Sequence, residues 1–159
     1  MFENLSSSFS ALGLGYLVLT AWPLAKTDIL ERRLPNKFVL PAFPITCLGQ
    51  LIASILGGNF WNMLWAFITA AVTFVIALGI NRFGLLGMGD VKLITVMALA
   101  LGWYSPLWPV IALGTTFLIA GIIAISLLGL RKIKLGGSMP LGPYLIVGFL
   151  GTLTLAVWS

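Results

Sequence analysis

Long stretches without a single formal charge divide this chain, and they decide what it can fold into. Residues 4–25 form one of 22 residues, 38–81 one of 44, 93–130 one of 38 and 135–159 one of 25. A helix needs about 20 residues to cross roughly 30 Å of hydrocarbon, so each stretch divides into one or two crossings. The composition agrees: 60% of residues are hydrophobic and 8% charged, whereas soluble domains carry roughly 25% charged residues. The chain reads as an all-α integral membrane protein.

The first stretch crosses once. Glu3 lies ahead of it with no Lys or Arg, unlike the positive start of a cleaved signal peptide. The second stretch holds two spans, about Phe38–Leu56 and Trp61–Ile80, separated by Gly57-Gly58-Asn59. Pro41 and Pro44 are tolerable within a membrane helix when neighbours satisfy the freed carbonyls. The third stretch could hold one span and a re-entrant piece, or two spans turned by Trp103-Tyr104-Ser105-Pro106. One crossing would place Lys92 opposite Arg131, Lys132 and Lys134, whereas two keep them together. The last stretch holds one span, about Leu141–Trp158. Six spans with both termini outside then bring all nine Lys and Arg residues to the inner face, as the positive-inside rule expects. No internal repeat or linker divides residues 1–159, so a single domain is expected.

Several functions drop out. The net charge of +5 marks membrane sidedness in such a chain, so nucleic acid is not an expected partner. Cys47 is the only cysteine and there is no histidine. A disulfide within the chain, a Cys-X-X-Cys zinc site and a histidine-based triad are thereby excluded. Carboxylates remain as the natural acid and base groups, with neither metal nor organic cofactor expected.

Of the four acids, Asp28 and Asp90 stand out. The six-span threading puts both on the inner face, at or just beyond helix ends, and an ionisable group at a membrane edge is a functional candidate with a partner to be named. Two carboxylates held close share a proton, so the pair can offer a base and an acid together. The base takes a proton from water and the acid donates to a peptide carbonyl, which is aspartic-protease chemistry. Gly87 and Gly89 would keep the backbone before Asp90 non-helical and open to an extended substrate. Each residue also has a plainer reading. Asp28 could be a loop acid neutralising Lys26 or Arg32, and Asp90 could cap a helix starting at Val91. Lys92 could be a topology anchor, Pro35-Asn36 could shape the start of span two, and Pro140, Gly142 and Pro143 could break the chain before span six. A small proton-coupled carrier using Asp28 and Asp90 as ionisable sites is the alternative function.

Three segments carry a resemblance: Asp28-Ile29-Leu30-Glu31-Arg32-Arg33-Leu34-Pro35-Asn36, Gly87-Met88-Gly89-Asp90-Val91-Lys92-Leu93 and Met139-Pro140-Leu141-Gly142-Pro143-Tyr144. In this order, at the inner ends of six spans, they resemble the type IV prepilin peptidase family, intramembrane Gly-X-Gly-Asp aspartic proteases. The resemblance implies that Asp28 and Asp90 are the catalytic aspartates, with Gly87, Gly89, Lys92, Pro35 and Asn36 as supporting residues and Pro140, Gly142 and Pro143 as substrate-positioning residues. It also implies a bacterial cytoplasmic membrane enzyme of pilus biogenesis and protein secretion. Its partners would be the lipid bilayer and prepilins or pseudopilins, cut at the cytoplasmic face between leader and hydrophobic segment. Longer members carry Cys-X-X-Cys motifs in an added cytoplasmic portion and also methylate the new amino terminus. This chain is similar to the short, protease-only form of tight-adherence pilus systems, so no zinc or methyltransferase domain is expected. Leu141 replaces the commoner Phe, a conservative apolar exchange.

Overall fold

A computed structural model describes residues 2–31, 34–84, 86–130 and 141–158, with the side chains of 2–4, 157 and 158 left aside. Those residues form helices α1 (Phe2–Ser10), α2 (Leu12–Glu31), α3 (Asn36–Gly57), α4 (Phe60–Arg82), α5 (Met88–Gly102), α6 (Leu107–Gly129) and α7 (Gly142–Trp158). No strand occurs among the described residues. Four segments are long and apolar enough to cross a membrane: Leu5–Glu31, Asn36–Gly57, Phe60–Arg82 and Leu107–Gly129.

The turns fall where the sequence places them. Gly58 ends α3 with φ 68°, a left-handed conformation that glycine adopts without a Cβ penalty, and α5 gives way to α6 across Trp103–Pro106. Two helix boundaries differ from expectation. The first crossing extends to Glu31 rather than stopping near Ala25, because Lys26, Asp28 and Glu31 continue the last turns of α2. Near its start, Ala11 separates α1 from α2, yet Gly15 N–H still donates to Ala11 C=O at 2.8 Å.

Helix α5 sits at the centre. Val91 and every residue from Leu93 to Gly102 are buried, and α5 packs on α2, α3, α4, α6 and α7. Its 15 residues rise about 22 Å at 1.5 Å each, short of the hydrocarbon thickness. Surrounding protein, rather than lipid, covers most of it. Helices α4 and α6 have the opposite character, with Val75, Ile76, Leu118 and Ile125 on open apolar faces suited to lipid.

Polar side chains inside the bundle are mostly bonded to their own helices. Thr46, Ser54, Thr95, Thr116 and Thr152 each donate to the carbonyl four residues back. Thr27 does the same to Pro23 C=O at 2.7 Å. These bonds bury hydroxyls without leaving a donor unpaired, which matters where no water can supply a partner. Small residues set helix spacing: Ala66 and Ala70 are buried with Leu99 and Trp103 of the adjoining segment, so α4 approaches α5 closely.

Candidate active site

The end of α2 and the starts of α3, α5 and α7 converge on one end of the bundle. A cavity of about 400 Å³ opens there, lined by Asp28, Leu34, Asn36, Gly87, Met88, Gly89, Asp90 and Lys92. Two acids 62 positions apart thus face the same space.

Asp28 lies in the last turn of α2, where the helix dipole makes a poor environment for an anion. It is only 5% exposed, which rules out a solvated loop acid. The first residue of α7 supplies what α2 cannot. Gly142 N–H donates to Asp28 Oδ2 at 2.8 Å, a helix N-terminus aimed at a carboxylate. A Cβ at Gly142 would lie 2.7 Å from the same oxygen. Gly142, a substrate-positioning residue by the family resemblance, is thus in contact with Asp28. Pro143 follows it and does not line the cavity, and Pro140 lies outside the described residues, as do Arg32, Arg33, Arg131, Lys132 and Lys134.

Asp90 occupies the first turn of α5, ahead of the uncharged stretch that begins at Leu93. The helix starts at Met88 rather than Val91, so Asp90 is its third residue and not its cap. Its Oδ2 accepts from Gly87 N–H at 3.2 Å, the half of a capping box that an N-cap glycine permits. Its Oδ1 is buried with no hydrogen-bond partner. Asp28 faces the same cavity, and two carboxylates held close share a proton more readily than both ionise. A proton shared there is what acid catalysis requires.

The two glycines play unlike parts. Gly87 is extended, at φ −72° and ψ 149°, as expected. Gly89 is helical, which corrects the expected open backbone. What its missing side chain admits is Leu34 of the α2–α3 connection, whose Cβ would lie 2.9 Å from a Cβ at Gly89. Lys92 Nζ donates to Asn36 Oδ1 at 3.0 Å and so ties α5 to α3 beside the two acids. Pro35 is the N-cap residue of α3, at φ −71° and ψ 123°, and does not line the cavity. Leu34 and Met88, not singled out from the sequence, complete the wall; as ordinary apolar residues they carried no signal. Among the described residues no three His, Cys, Asp or Glu side chains gather as a metal site would require.

Fold and site together define a multi-pass membrane protein with two carboxylates facing one cavity at a bundle end. The model of the type IV leader peptidase family matches residues 13–130, well over half of the chain, and the chain belongs to that family. It is therefore a protease of the prepilin peptidase type. Both acids and the Gly-Met-Gly-Asp segment fall within the match, whereas the Met139–Tyr144 segment lies beyond it. No curated protein and no solved structure matches the chain.

Proposed function

We propose that this protein is an intramembrane aspartic endopeptidase that removes the leader from prepilins or pseudopilins at the cytoplasmic face. The observation that carries the reading is the shared cavity of Asp28 and Asp90. It is supported by the family to which the chain belongs. The carrier reading finds no support in that family.

Water enters the cavity and loses a proton to the ionised carboxylate as its oxygen attacks the scissile carbonyl carbon. The protonated carboxyl donates to the carbonyl oxygen, giving a neutral gem-diol. Return of a proton to the amide nitrogen and loss of one diol proton break the carbon–nitrogen bond, leaving a new carboxyl group and a new amine. The pair titrates as a unit, so base and acid belong to the pair rather than to one named residue. Gly142 fixes the Asp28 carboxylate. Lys92 and Asn36 steady the helix ends around the two acids.

The topology that suits this chemistry has six spans: Leu5–Glu31, α3, α4, α5, α6 and α7, with both termini outside. Lys26, Lys37, Arg82 and Lys92 all stand at or near helix ends on the site's side, the inner side by the positive-inside rule. The enzyme then belongs in the bacterial inner membrane. Cleavage of a co-expressed prepilin, read by mobility and mass, tests the reading in the unsubstituted enzyme, Asp28→Asn and Asp90→Asn. Cutting by the first and by neither variant, with all three accumulating in the membrane, is expected. Normal cutting by either variant would remove the pair.

A further inference from the structure

A second cavity of about 360 Å³ lies between α3, α4 and α5, and Lys92 lines both it and the carboxylate cavity. Its walls include Phe43 and Cys47 of α3, Phe67 and Phe74 of α4, and Thr95 of α5. It forms because α4 leans on α5 and barely touches α3. The lining offers almost nothing polar, since the Thr95 hydroxyl is already bonded to Val91 C=O at 2.7 Å. Polarity appears only at the Lys92 end, where the ammonium reaches Asn36 in the neighbouring cavity. From Lys92 to Leu99, the far end on α5, the rise is about 10 Å at 1.5 Å per residue, or two turns of a helix laid alongside.

Resting on the prepilin-type reading above, we propose that this groove receives the first two turns of the substrate's hydrophobic segment, immediately after the scissile bond. A chain cut at the two carboxylates that becomes apolar directly afterwards needs an apolar surface beside the cavity, and this groove shares Lys92 with it. A lipid acyl chain would suit the walls, but nothing in its chemistry would link it to the carboxylate cavity. The groove thus sets which prepilins are accepted, by the shape of the apolar residues following the cut, while the carboxylates perform the cut.

Cys47 provides the test, because it is the only thiol in the chain and lines the groove. In membranes holding the Asp28→Asn enzyme, a prepilin with one cysteine stepped along its length is oxidised with copper phenanthroline. Cross-links are expected only within the first two turns after the cut and at intervals of about three to four residues. None is expected on the leader. In the active enzyme, Ala71→Trp, which fills the groove from its exposed side, should raise KM for prepilin about tenfold and leave kcat within about twofold. Ile125→Trp, on the open face of α6, should change neither. Cross-linking that is absent or equal at all positions, or an unchanged KM in Ala71→Trp, overturns the groove while leaving the peptidase reading intact. Failure of the unsubstituted enzyme to cut prepilin overturns both.

Discussion

The two acids of the cavity are held in opposite ways. Asp28 stands at the unfavourable end of its own helix and is fixed by another, through the N–H of Gly142 114 residues away. Asp90 stands at the favourable end of its helix and is tethered only locally, through Gly87, with one oxygen left unpartnered. One carboxylate is anchored by tertiary structure and the other by the start of its own helix. A pair built this way depends on the packing of α7 at one side and on local backbone at the other.

The anchored side should be the easier to break. Gly142→Ala places a methyl group against the Asp28 carboxylate, and displacement of that group by about 1 Å should lower turnover roughly 100-fold. Single-turnover cleavage with KM little changed would show this, and a loss below threefold would mean that the contact does not position Asp28. Asp28→Ala leaves a buried N–H without its acceptor and should destabilise the fold by about 1–3 kcal/mol, read as a lower unfolding midpoint in detergent.

The locally tethered side should show itself through pH. Two carboxylates facing one cavity share a proton, and once both are ionised the pair has lost its acid. The cleavage rate should therefore fall by up to about tenfold per pH unit once that proton is gone; a rate that stays level or keeps rising at every higher pH would contradict it. The smallest effect should come from Lys92→Met, since its bond to Asn36 is solvent-exposed; a fall in turnover of about twofold to fivefold fits one such bond.

Much of this contrast was legible in the sequence. Charge-free lengths locate the four long apolar helices and the turns beside them because hydrocarbon tolerates few alternatives, and the scarcity of acids isolates Asp28 and Asp90. The anchoring was not legible. Asp28 looks like a loop residue because an acid in a helix's last turn opposes the dipole, and only the placement of α7 makes that position tenable. Gly142 and Gly89 read as backbone breakers, whereas their role is to admit the Asp28 carboxylate and Leu34, contacts set by packing between distant segments. The groove beside Lys92 left no trace in the sequence either, since its walls have the same composition as any lipid-facing surface.

The most direct measurement of whether the two acids act as one unit is the residual cleavage rate of Asp28→Asn, Asp90→Asn and the double variant on one prepilin. Groups that share one chemical event are strongly non-additive. All three variants should fall to the same floor, about a thousandfold or more below the unsubstituted enzyme. A double variant slower than either single by the product of their losses would mean that Asp28 and Asp90 contribute separately, and that the shared cavity is not one catalytic site.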